Sequence, residues 1–161
     1  MRTVEYKKGF TLLEVVVSTA VFLIVVPALT TTFVSSLKSS LSNTTKVQAS
    51  FLGEEGLEAV RILRDNGWSA NIAPQASGSN FYLTFGGTTW STTTANVYVN
   101  GMFERRLQLT DVYRDGAQNI VLGGGTLDVN TKKVKVFVSW FSGSGTTTKS
   151  LETLLTNIFK N

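Results

Sequence analysis

Lys7-Lys8-Gly9-Phe10-Thr11-Leu12-Leu13-Glu14 opens an apolar run that continues from Val15 to Val34. Roughly 20 apolar residues at ~1.5 Å rise per residue cross ~30 Å of hydrocarbon, so the run is about one bilayer long. Two lysines close a short polar leader, and Gly9 offers a peptide bond that no side chain obstructs. Glu14 is the anomaly. A charge near the centre of a membrane helix costs about 2.5–3.5 kcal/mol on insertion scales, and such residues are usually functional. One turn inside the run, Glu14 costs less than that, yet its carboxylate still asks for a partner.

Two ordinary segments compete for this stretch. A secretory signal has a basic start, an apolar core of about 7–15 residues and a small-residue cleavage site after it. Here the run is too long, no such site follows, and a carboxylate interrupts its start. A plain single-pass anchor fits the length and leaves Gly9-Phe10-Thr11-Leu12-Leu13-Glu14 without a reason. The residues Lys7 to about Val34 resemble the prepilin signature of type IV pilins and pseudopilins. The resemblance implies cleavage after Gly9 by a prepilin peptidase, N-methylation of the new terminus at Phe10, and pairing of Glu14 with the N-terminus of a neighbouring subunit. It further implies assembly with other pilin subunits through N-terminal helices, on a platform in the inner membrane.

The chain has 161 residues, enough for one domain or one domain plus a membrane helix. Fifteen bases against 11 acids give a net charge of +4. Without the leader's three bases and one acid, 12 bases face 10 acids, a net +2. No basic stripe with interleaved aromatics appears, which argues against nucleic-acid binding. The leader's charge fits the positive-inside rule, with Met1–Gly9 cytoplasmic and the C-terminal part outside. Cysteine and histidine are both absent, so Cys-His pairs, Ser-His-Asp triads and the usual zinc sites cannot be built. No cofactor or metal is implied. The lack of cysteine separates the chain from major pilins that close a C-terminal loop with a disulfide; the resemblance is expected to be to a minor pilin-like protein, with major or minor left open by the sequence.

Pro27 lies thirteen residues past Glu14 and should kink or loosen the helix, either as a gentle bend or as a melting point on assembly. Beyond it, Val34, Leu37, Leu41, Leu52, Ala59 and Leu63 recur at helical spacings, with Lys38, Lys46, Glu54, Glu58 and Arg61 off the stripe. One helix from about Thr11 to Asp65 follows, stopped by Asn66-Gly67. Glu54, Glu58 and Arg61, and Arg61 with Asp65, sit at ion-pair spacings; a solvated helix face explains them better than a catalytic carboxylate cluster. Gly53 and Gly56 weaken a lone helix by ~1 kcal/mol each and would admit the close approach of a strand or another helix.

Residues 67–80 read as a polar, surface-facing connection. The period then switches to two: Phe81, Leu83 and Phe85; Val97 and Val99; Phe103, Arg105, Leu107 and Leu109 against Glu104, Arg106, Gln108 and Thr110; and Val134, Val136, Val138 and Trp140 against Lys133, Lys135 and Ser139. Turn signals at Gly86-Gly87, Asn100-Gly101, Asp115-Gly116, Gly123-Gly124-Gly125, Asn130-Thr131 and Gly143-Ser144-Gly145 divide these runs into an antiparallel meander. Residues 146–159 fit a helical stripe or a strand, and related heads tip the reading to a strand. Gly123-Gly124-Gly125 lacks the lysine and helix of a phosphate loop. Trp68, Trp90, Tyr98 and Tyr113 could form a sugar- or surface-binding patch, although helix–sheet packing accounts for most aromatics.

The expected fold is α+β: a leader at 1–9, a membrane and filament-core helix at 10–34, its amphipathic half at 35–66, and an antiparallel head at 67–161. The expected role is structural, not enzymatic: a subunit of a type IV pilus, competence pseudopilus or secretion pseudopilus, with site residues Gly9, Phe10 and Glu14. It would sit in the cytoplasmic membrane by a single pass, head outside, and then in a surface pilus or periplasmic pseudopilus. The alternative is a tip pilin whose head binds a ligand through loops 67–80 and 86–95.

Overall fold

The computed structural model describes residues 9–143 and 145–159. The leader positions Lys7 and Lys8 lie outside them. A single helix, α1 (Leu12–Asp65), is followed by a short helix α2 (Trp68–Asn71) and seven strands: β1 (Asn80–Phe85), β2 (Trp90–Thr93), β3 (Tyr98–Val99), β4 (Phe103–Arg114), β5 (Ile120–Val121), β6 (Thr126–Phe141) and β7 (Thr146–Thr156). The architecture is α+β, a long N-terminal helix and one antiparallel sheet. The chain forms two compact units, Met1–Thr44 and Thr45–Asn161.

In the first unit every described residue is exposed. The helix runs through Pro27, and four threonines of its apolar half are tied off by its own backbone. Thr19, Thr30, Thr31 and Thr32 donate their hydroxyls to the carbonyls of Val15, Val26, Pro27 and Ala28 at 2.8–2.9 Å. That removes the cost of carrying hydroxyls through an apolar stretch.

In the second unit the sheet order is β2-β1-β4-β6-β7, with β3 and β5 paired to β4. β4 alternates as the period of two requires, and Phe103, Arg105, Leu107 and Leu109 face inward. Opposite them Val134, Val136, Val138 and Trp140 complete the inner face. The C-terminal part of α1 buries Ala49, Gly53, Gly56, Ala59, Val60 and Leu63. The two glycines set how closely helix and sheet approach: a Cβ on Gly53 would stand 2.9 Å from Leu151 Cδ1, and one on Gly56 3.0 Å from Val136 Cγ1. The element that comes close is thus a strand. Asn100 and Gly101, at φ 52° and 65°, make the tight β3–β4 turn.

Residues 146–156 form the strand expected there, hairpinned to β6. Four expectations need correction. The connection 67–80 is not merely a surface loop: Trp68 and Ile72 are buried in the core, on the turn of α2. The indole and the isoleucine supply apolar area that the polar composition around them disguises. Within 86–95, Trp90–Thr93 is a strand, β2, on the sheet edge. Asn130-Thr131 does not end a strand but lies inside β6, where the register with β4 slips between Asp111 and Val112. A bulge there absorbs the turn-forming residues, and Lys132 bridges it to Asp111 at 2.7 Å. Finally, Asp65 pairs with Arg64 at 2.7 Å, not with Arg61, which binds Glu58 at 2.9 Å.

Candidate functional site: the helix start and its free carboxylate

The helix start is built by Thr11. Its hydroxyl accepts the amide of Glu14 at 3.3 Å, and its carbonyl accepts the amide of Val15 at 3.2 Å. Thr11-Leu12-Leu13-Glu14 thus has the Thr-x-x-Glu spacing of an N-terminal cap, with threonine satisfying one orphan amide. Sequence reasoning missed Thr11, though its spacing from Glu14 was the signal.

Glu14 sits in the first turn, where the positive end of the helix dipole favours a carboxylate by about 0.3–1 kcal/mol. That is the only compensation the helix itself supplies. Among the described residues no cation lies within ion-pair distance of Glu14, whereas six of the head's carboxylates (Glu55, Glu58, Asp65, Asp111, Asp128 and Glu152) are paired. Phe10 is 82% exposed, and Leu12 and Leu13 are exposed beside it. A Cβ placed on Gly9 would meet nothing within 4 Å, so no contact among the described residues dictates a glycine there. Gly9, Phe10 and Glu14 therefore lie together at one open helix end. The helix behind them is long and apolar enough to cross a membrane, and none of its apolar window is buried.

The head contains a different charged device. Arg105 points into the core from β4, 4% exposed, and donates from Nη1 to Glu55 on α1 at 2.8 Å. Its guanidinium lies 5.2 Å from the Trp90 ring, and its Nε has no partner among the described residues. An arginine on the apolar face of β4 was visible in the sequence; its partner, fifty residues earlier, was not. Among the described residues no group of three acidic side chains could hold a metal.

A membrane-length N-terminal helix with a lone carboxylate near its start, continued into an antiparallel head, is a pilin-like α+β architecture. Residues 6–26 match the prokaryotic N-terminal methylation motif, the signature of type IV pilins and pseudopilins. The signature and the fold together point to a membrane-anchored structural subunit. No curated protein and no solved structure matches the chain significantly.

Proposed function

We propose that the chain is a prepilin, cut after Gly9 by a prepilin peptidase, methylated at Phe10 and assembled into a filament through its N-terminal helix. The observation that carries this reading is Glu14: a carboxylate without a cation among the described residues, five positions past Gly9 and four past Phe10, inside a matched methylation motif. In a bundle of such helices the cation regularly at hand is the Phe10 ammonium of the next subunit. A carboxylate buried in the wrong register would be left uncompensated, so the pair selects register as well as partner. Lipid and neighbouring helices cover apolar side chains almost equally well, which leaves packing and the polar pair to drive association.

The leader would be cytoplasmic and the head outside the cytoplasmic membrane. Pilus, competence and secretion pseudopilus remain equivalent under this mechanism. A tip position is the second reading, since a tip subunit needs no partner above it.

The test is Glu14→Ala beside Glu14→Gln and Thr11→Ala, each expressed with wild-type partner subunits. N-terminal sequencing should begin at a methylated Phe10 in all of them. Losing the cap costs about 1 kcal/mol and frays one turn, so Thr11→Ala should still assemble. Both Glu14 variants should enter filaments poorly, because breaking a buried pair costs about 3–5 kcal/mol. Glu14→Gln assembling as well as wild type would remove charge pairing from the mechanism. Filament protein beginning at Met1 would remove the prepilin reading itself.

A further inference from the structure

The outer face of the sheet, turned away from α1, carries an open cleft of about 310 Å³ at the β3–β4 end. Tyr98, Met102, Glu104, Ser139, Phe141 and Thr146 line it. The registers explain why they meet. Tyr98 lies opposite Glu104, Glu104 opposite Ser139, and Phe141 opposite Thr146, so facing partners share one surface. Tyr98 and Phe141 are 58% and 71% exposed, two aromatic side chains standing beside a polar floor.

Glu104 is the informative floor residue. Its Oε1 accepts the Tyr82 hydroxyl at 3.1 Å and the Asn96 amide at 3.1 Å. Both donors are neutral. Burial, and then the bond to Glu104, raise the Tyr82 pKa, so its O–H remains a donor. Oε2 takes no partner among the described residues. A carboxylate oriented by two neutral donors, with one oxygen free beside exposed aromatics, is arranged for a ligand that donates hydrogen bonds and also has an apolar face.

Charge narrows the ligand class. An anion is disfavoured by Glu104. A cation is disfavoured by Arg106, two residues along the same face, whose guanidinium stacks on Phe137 at 4.5 Å. A wholly apolar segment would bury the carboxylate unpaired, which is costly. A neutral pyranose satisfies every demand: its hydroxyls donate to Glu104, and its C–H face lies on an aromatic ring. We propose that this cleft binds a neutral saccharide, Tyr98 and Phe141 giving the stacking surfaces and Glu104 accepting ligand hydroxyls. This needs only the folded head, so it stands or falls separately from filament assembly.

The test uses the full chain, amide-labelled, in a micelle of octaethylene glycol monododecyl ether, which has no sugar headgroup. Triacetylchitotriose, cellotriose and maltotriose are titrated by NMR. At least one should give saturable shifts confined to Gly101, Met102 and the strand ends around Ser139 and Phe141. Tyr98→Ala and Phe141→Ala should each weaken it about three- to tenfold. Glu104→Gln should weaken it by roughly tenfold or more while leaving the rest of the amide spectrum in place. No saturable shift from any of the three saccharides overturns the proposal. So does binding that all three variants leave unchanged, or equal shifts from tetramethylammonium chloride, which would identify a cation site.

Discussion

Arg105 and Glu55 form an asymmetric pair, and the asymmetry predicts which half of it the head can lose. The arginine side chain is 4% exposed and the glutamate 47%. Breaking a fully buried pair costs about 3–5 kcal/mol, and breaking an exposed one ~0–1 kcal/mol. Glu55→Gln leaves the buried guanidinium without its countercharge, while water still reaches the position from one side. The loss should fall between those limits, at about 2 kcal/mol. Arg105→Met leaves only a half-hydrated carboxylate. It also removes an Nε that has no partner, keeps the aliphatic volume, and puts a thioether near Trp90. Its effect should stay within about 1 kcal/mol of zero. All three tryptophans, Trp68, Trp90 and Trp140, belong to the head, so tryptophan fluorescence follows its unfolding. Urea titration of the full chain in micelles should show Glu55→Gln with a lower midpoint and an unchanged slope. Its Tm should fall by roughly 4–8 °C at ~2–4 °C per kcal/mol. The double variant should recover most of that loss. Arg105→Met costing as much as Glu55→Gln would refute the reasoning.

Three more expectations come from other parts of the chain. Arg114 donates from Nε to Asp128 at 2.6 Å and holds its carboxyl below the usual range against the opposing push of burial. That stabilisation is present above the ordinary aspartate value of ~3.9 and is lost as pH falls through the depressed folded value. A Tm series below pH 5 should therefore be shallower for Asp128→Asn. It should not be flat, since Asp115, lowered by the Asn119 amide, titrates on the same limb. For the helix glycines, alanine gains ~1 kcal/mol of propensity at each site. At Gly53 the obstacle is the tip of Leu151, which can move, so Gly53→Ala should be near neutral; at Gly56 it is the stiff Val136 beside Arg105, so Gly56→Ala should lose about 1 kcal/mol net in the same titration. Gly9→Trp has open space around it, so the head should fold normally while uncleaved precursor accumulates on a gel of membrane fractions. Normal cleavage of Gly9→Trp would contradict a peptidase that needs the glycine.

The helix and the long strands were legible because their periods are undiluted. Phe103–Leu109 of β4 and Val134–Val138 of β6 alternate without a break, and α1 ends where Asn66-Gly67 stops it. Gly53 and Gly56 signalled close approach but not what approaches, because that depends on Leu151 and Val136 far along the chain. Asn130-Thr131 misled for a local reason: turn-forming residues suit a bulge as well as a turn. Trp68 and Ile72 were hidden because two apolar residues among serines, asparagines and glycines carry no period. The Glu55–Arg105 pair is a contact across fifty residues, beyond anything spacing encodes. At the site, Glu14 stands out as the one acid in the apolar run and Gly9 through the resemblance, while Thr11 needed the observed hydrogen bond to show its part.

Two charged residues in apolar surroundings, Arg105 and Glu14, follow opposite rules, and the contrast supports the assembly reading. Arg105 lies in the unit with a core, and the fold brings Glu55 to it from another element. A domain that must be stable alone has to satisfy its buried charge internally, because an uncompensated one could consume much of the ~5–15 kcal/mol that holds such a domain together. Glu14 lies in the unit with no core, where apolar side chains such as Phe10, Leu13 and Phe22 are turned outward. No other element of the described chain reaches it, and Thr11 engages the backbone amide of Glu14 rather than its carboxylate. The helix dipole repays about 1 kcal/mol at most, enough for a headgroup-level carboxylate and too little for one enclosed by other helices. Such a residue is tolerated at a membrane surface and becomes costly when the helix is packed, unless the packing partner brings the cation. Under the proposed assembly, the chain pairs its buried arginine where it folds and leaves Glu14 open for the cation another subunit would bring.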